Sequence, residues 1–150
     1  MKTAIKQNLQ TTIVKTSVNN DYSNHRAQST EYLDIRERAF AFAVRIVKLC
    51  QFLEKESKVS RSLINQLLDA GTSVGANLEE AKAGQSKADF IHKHAISLKE
   101  ARESNYWLRL ILATTLFDKK VKQAIEELEA ESLAIARIVG KIIVTSKKKN

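Results

Sequence analysis

Residues 119–146 read KKVKQAIEELEAESLAIARIVGKIIVTS. Val121, Ile125, Leu128, Ser132, Ile135, Val139 and Ile142 recur at strict four–three spacing, the seam of a helix packed on other helices. Glu126, Glu127, Glu129 and Glu131 fill the first half, and Arg137, Lys141 and the lysine tail follow, the order that the helix dipole favours. Asp118 stands where an N-cap belongs. A helix over 119–146 follows, and it needs partners for its seam.

Working backwards, Gly84-Gln85-Ser86 is the sharpest break in the chain. Gly84 suits a left-handed C′ position, and Ser86 with Asp89 three residues on suits a new helix start. The spacing predicts a helix over 87–117, with Ile91, His94/Ala95, Leu98, Ala101, Asn105, Leu108, Leu112 and Thr115 as its core stripe. A helix over 61–83 precedes it, striped by Leu63/Ile64, Leu67, Ala70/Gly71, Val74, Leu78 and Ala81, with Ser57 or Ser60 as cap. Gly71 and Gly75 share one face, and each costs roughly 1 kcal/mol against alanine, so a close neighbour is expected there. The first helix covers 35–56 from an Asp34 cap. It carries two stripes, Phe42-Ile46-Leu49-Leu53 and Ala39-Phe40-Ala43-Val47-Cys50, more than one core normally takes.

Short connections make successive helices antiparallel. The fold expected is all-α, an up-down-up-down antiparallel four-helix bundle over 34–146. A flexible polar arm over 1–33, rich in Thr, Asn, Ser and Gln, precedes it, and a lysine tail over 147–150 follows. Among 150 residues there are four Gly and no Pro, too few breaks for an all-β chain. No run of apolar residues is long enough to span a membrane. With no apolar signal core at the N-terminus, the cytoplasm is the expected location.

Lys and Arg number 25 against 17 Asp and Glu, a formal charge of +8. Such an excess permits nucleic-acid binding. Five of those positive charges lie on the arm and the tail, and 34–146 holds 18 basic and 15 acidic residues. Topology gathers Lys82, Lys87, Lys141, Lys147, Lys148 and Lys149 at one end of the bundle, the candidate nucleic-acid surface. Lys55, Lys58, Arg61, Lys119, Lys120 and Lys122 gather at the other, diluted by Glu54, Glu56 and Asp118.

Catalysis finds little footing. Cys50, the single cysteine, lies on an apolar face where a buried inert thiol is usual. Phosphate-loop motifs are missing. A di-iron bundle needs Glu-x-x-His pairs, and none of Glu79, Glu80, Glu100 or Glu103 supplies one. No metal or other cofactor is expected. Ser73, Asn77 and Glu80 share a face of the second helix, and Glu100, Glu103 and Tyr106 share one of the third, with Asn105 in its core stripe. A structural polar network fixing the register of those two helices is expected. Tyr106 and Trp107 with Arg102 and Arg109 form a basic-aromatic cluster. Such clusters stack bases or build subunit interfaces, and the interface is favoured. Phe40, Val47, Trp107, Leu110 and Ile111 are its candidate residues.

Four stretches are distinctive together: Arg38-Ala-Phe-Ala-Phe-Ala-Val-Arg-Ile-Val, the Ser73-x-x-x-Asn77-x-x-Glu80-Ala81 pattern, the Gly84-x-Ser86 turn and Lys99-Glu-Ala-x-Glu-x-x-Tyr-Trp-Leu. Over about 35–145 the chain resembles the bacterial four-helix-bundle family, whose members are also called 23S rRNA intervening-sequence proteins. The resemblance implies a ring, typically a homopentamer, with no attributed enzymatic activity. A related branch, the accessory variability proteins of diversity-generating retroelements, forms a basic pentameric barrel that binds a reverse transcriptase and nucleic acid. Self, RNA or DNA, and a nucleic-acid-processing protein are therefore the partners implied. An oligomeric protein-interaction module without nucleic-acid contact is the alternative.

Overall fold

A computed structural model of the chain describes residues 34–148. Four helices fill it: α1 (Ile35–Glu56), α2 (Arg61–Ala83), α3 (Lys87–Thr114) and α4 (Lys119–Lys148). No strand occurs among the described residues. The arm over 1–33 and Lys149 lie outside them.

Each helix begins where a short polar side chain can replace missing backbone partners. Asp34 Oδ1 accepts from the Arg36 N–H at 3.1 Å, Ser60 Oγ from the Leu63 N–H at 3.3 Å and Ser86 Oγ from the Asp89 N–H at 3.1 Å. Asp118 Oδ1 accepts from Lys120 and Val121 at 3.1 and 3.0 Å. These bonds satisfy donors that no preceding turn can reach. Ser60, not Ser57, caps α2; Ser57 closes α1 with φ 52°. Two helix ends and one cap depart from the sequence reading. α4 runs to Lys148 rather than 146, so Lys147 and Lys148 of the expected tail belong to the helix. α3 stops at Thr114 rather than 117, because Thr115 is extended, with φ −134° and ψ 131°. Gly84 is not left-handed: at φ −60° and ψ 141° it is extended. Only Gln85 and Ser86 then remain to reach α3, and an extended residue covers that crossing.

The helices are arranged as a ring of four. α1 packs on α2, α2 on α3, α3 on α4 and α4 on α1, the last along the thinnest seam, and no two backbones approach closely across either diagonal. Phe42, Ile46, Leu49 and Leu53 of α1 meet Ile64, Leu67, Val74 and Leu78 of α2, Leu108 and Ile111 of α3, and Ile125, Leu128, Ile135 and Val139 of α4 in one buried cluster. Each such side chain contributes about 1.5–3 kcal/mol when fully buried. The four-three seam of α4 lies inward, with Val121 and Ile142 half-buried at its ends.

On α3 the buried line differs from the expected stripe. It runs His94, Ser97, Ala101, Ser104, Leu108, Ile111, with Asn105 beside it. Two serines complete it. Ser104 Oγ donates to its own helix at the Glu100 carbonyl, 2.8 Å away. Ser97 Oγ donates across to the Val74 carbonyl of α2 at 2.9 Å. Small hydroxyls at 97 and 104 leave room for close helix approach. Ile111 is therefore a core residue and Leu112 a half-buried one.

Candidate nucleic-acid interface

The polar residues expected to lock α2 to α3 do not form one network. Asn77, half-buried, donates only to the Ser73 carbonyl of its own helix at 2.8 Å. Ser73 contributes that carbonyl rather than its hydroxyl. Glu80 is exposed and pairs with Lys93 of α3. Tyr106 points outward. Glu103 Oε1 accepts from the Trp107 indole N–H one turn along α3, at 3.3 Å. Glu100 stays on the same helix, its carboxyl pushed above the usual carboxylate range by burial and then by Glu103. Ser73, Asn77, Glu100 and Glu103 lie half-buried on helix flanks, where side chains reach water, while Glu80 and Tyr106 are exposed. Asn77→Leu should therefore change the unfolding free energy by no more than about 0.5 kcal/mol, as surface substitutions do. A loss of 2 kcal/mol or more in urea unfolding would contradict this placement.

Across the α2–α3 seam the polar contacts are single ones, Glu80 with Lys93 and Ser97 Oγ on the Val74 carbonyl; the denser polar cluster lies between α3 and α4. Asn105 is buried and bonds α4, not α2. Its amide nitrogen donates to the Glu129 carbonyl at 3.1 Å, Glu129 Oε1 at 3.2 Å and Ser132 Oγ at 3.1 Å. Ser132 was legible only as a gap in the apolar seam of α4. The α1–α4 seam carries charge: Arg38 grips Glu131 with two bonds of 2.6 and 2.8 Å, and that carboxylate raises its pKa. Arg45 reaches Glu127 more loosely, at 3.4 Å, and its Nε is buried without a partner. Spacing within one helix gives no sign of such pairs.

Cys50 sits in the α1–α2 core, its thiol donating to the Ile64 carbonyl at 3.7 Å. Burial pushes the thiol up to about 12, with Glu54 adding to the shift. A thiol so seldom ionised is a poor nucleophile. Among the described residues, no group of three or more His, Cys, Asp or Glu side chains is placed to hold a metal ion. None of the described helices is long and apolar enough to cross a membrane.

The antiparallel order brings Lys82, Lys87, Lys141, Lys147 and Lys148 to one end. That end is less purely basic than the sequence suggests. Asp34 and Glu79 both pair with Arg36 there, and Lys82 is near enough to lower the Asp34 pKa, after the dominant bonds from Arg36. Lys82, Lys141, Lys147 and Lys148 nonetheless remain exposed.

The interface candidates separate. Phe40 is 68% exposed on α1, Val47 and Leu110 are half-buried, and Trp107 packs against the core. Ile111 is buried within its own bundle and is no surface residue. Leu116, 95% exposed, and Val144, 53% exposed, were not anticipated. Both lie near helix ends, where a periodic stripe gives no signal. Tyr106 and Arg109 line a groove of about 510 Å³ with Leu110, Leu112, Ala113 and Lys122 of α4.

A model of the 23S rRNA-intervening sequence protein family matches residues 31–139. Among solved structures, one from Bacteroides thetaiotaomicron is 40% identical and aligns with a TM-score of 0.67. It covers 73% of this chain and 98% of its own, and is described as a protein of unknown function from the S23 ribosomal protein family. No curated protein matches significantly.

Proposed function

The chain belongs to the 23S rRNA-intervening sequence protein family, and from that premise we propose a non-catalytic, homo-oligomeric bundle protein that binds RNA. The observation carrying the RNA reading is how the charges are spent. Arg36, Arg38, Arg45 and Lys93 tie up Asp34, Glu79, Glu80, Glu127 and Glu131 in ion pairs along the helix seams. Lys82, Lys99, Arg102, Arg109, Arg137 and Lys141 have no ion-pair partner among the described residues and face solvent. A surface that keeps its cations unpaired attracts phosphate.

Self-assembly is supported by Phe40, a large aromatic left 68% exposed on α1 and the outermost of the expected interface residues. Five is the subunit number that the resemblance implies. A ring repeats each weak basic end on one rim, and avidity then multiplies the phosphate contacts. Native mass spectrometry, with and without nuclease, tests assembly and retained RNA together. An assembled mass with nuclease-sensitive RNA is the expected result. Deleting Lys147–Lys149 and reversing the charge of Lys82 and Lys87 should lower retention and flatten its salt dependence, with the assembly intact. An assembly that holds no RNA at about 50 mM salt would instead favour an interaction module without nucleic-acid contact.

A further inference from the structure

We propose that the groove between the outer face of α3 and the start of α4 is a stacking site for single-stranded RNA, with a base on Tyr106 and phosphates on Arg109 and Arg102. The proposal rests on the RNA reading above and adds a place and a strand form to it.

The chemistry of the groove is mixed in the way a nucleotide requires. Leu110, Leu112 and Ala113 give it an apolar lining; the Tyr106 ring, Arg109 and Lys122 add an aromatic face and two cations; and no carboxylate lines it. Tyr106 is 55% exposed, so its ring is open to a stacked base. The ring is also braced, since Trp107 meets it edge-on with centroids 5.0 Å apart. Trp107 is held inward by its bond to Glu103 at 3.3 Å. The two aromatics, adjacent in sequence, therefore have different tasks.

The groove continues a line. Lys99, Arg102, Tyr106 and Arg109 follow at three- and four-residue steps on the exposed face of α3, a track of about 15 Å. None of these three cations makes an ion pair among the described residues. Lys122 does share an exposed contact with Glu126 at 3.7 Å, a pair weak enough for a phosphate to displace. One exposed aromatic stands among three cations on this face, and an aromatic platform beside backbone-binding cations holds single strands through stacking and charge. A duplex keeps its bases paired and stacked inside, so it has nothing to offer Tyr106.

Trp107 is the single tryptophan and sits beside the platform, so its fluorescence reports a base arriving there. The probes are a single-stranded oligouridylate of about 12 nucleotides and an RNA duplex of equal length, titrated into the full-length assembly at low salt. The single strand should quench Trp107 and bind more tightly than the duplex. Tyr106→Ala should weaken it about 5- to 150-fold, the equivalent of one stacked base, while Tyr106→Phe retains it. Arg109→Gln should lower the salt slope by about 0.7, one phosphate's share on a single strand. Binding by Tyr106→Ala equal to the parent's, or a duplex bound as tightly as the single strand, overturns the groove site and leaves RNA binding on the rim. A Tyr106→Ala protein that loses its assembled mass makes the groove a contact between copies, which also overturns it. If the parent binds neither probe, the RNA reading itself falls.

Discussion

Alanine at Gly71 should destabilise the bundle by about 1–3 kcal/mol, the usual cost of overpacking a filled core. A Cβ on Gly71 would lie 2.7 Å from Ile46 Cγ2 and 2.9 Å from Cγ1. Both helices are pinned by buried neighbours, Leu67 and Val74 on one side and Phe42 and Leu49 on the other. Neither can withdraw without opening its own packing. Gly75 gives the control. The nearest atoms to a Cβ there are those of the Ala39 carbonyl group, at 3.6 Å, an ordinary contact. Gly75→Ala should therefore keep the helix-propensity gain of roughly 1 kcal/mol. Thermal unfolding separates the two, at about 2–4 °C per kcal/mol for a chain of this size. Pairing Gly71→Ala with Ile46→Ala should cost less than the two separately, because the clash and the cavity share one space. A Gly71→Ala protein as stable as Gly75→Ala would remove Ile46 from the account.

The contrast between the two glycines marks where sequence reading stops. Both lie on one face of α2, and one packing reason was assigned to both. Only Gly71 faces a branched side chain; Gly75 faces backbone at comfortable range. Helix starts, by comparison, are legible at Asp34, Ser86 and Asp118, and to within Ser57 or Ser60 for α2, because a cap is a local bond whose partners lie within three residues. Gly84 shows the limit of even local rules. The left-handed preference of a post-helical glycine gave way to the need to cross to α3 in two further residues.

The register of α3 was misread for a different reason. An apolar count treats Ser97 and Ser104 as surface residues and slides the stripe towards Leu98 and Leu112. In the folded chain, hydroxyls that bond backbone carbonyls are compatible with burial, and the true line passes through them to Ile111. The same error made Ile111 an interface candidate. The exposed basic line on that helix, Lys99, Arg102, Tyr106 and Arg109, becomes visible once the buried line is fixed. Its meeting with Lys122 of α4 depends on tertiary packing and could not be read from either helix alone.

Asn105 combines both lessons and carries the largest electrostatic prediction. Its place in the inner stripe was legible; its partners were not, since an inner residue of α3 borders both α2 and α4. The structure gives its amide three oxygen neighbours, the Glu129 carbonyl, Glu129 Oε1 and Ser132 Oγ. Ser132 Oγ already donates its own proton to the Glu129 carbonyl at 2.6 Å. Asn105→Leu removes the bonds and should cost about 1–3 kcal/mol. Asn105→Asp is worse at neutral pH. It sets a buried carboxylate against oxygens that were arranged to accept, and an uncompensated buried charge costs about 3–5 kcal/mol. The sign of its pH dependence follows from the same contacts. Burial and facing oxygens raise the carboxyl pKa in the folded state above its unfolded value of about 3.9. The folded chain then holds a proton that the unfolded chain releases, so stability falls as pH rises from that value through the folded pKa. Below it, the neutral acid can donate one bond and the penalty shrinks towards that of a neutral substitution. Urea unfolding of Asn105→Asp and the parent, at about pH 4 and pH 7, should show a gap between them that widens with pH. A gap that stays constant, or narrows, would mean that residue 105 does not face the Glu129–Ser132 oxygens.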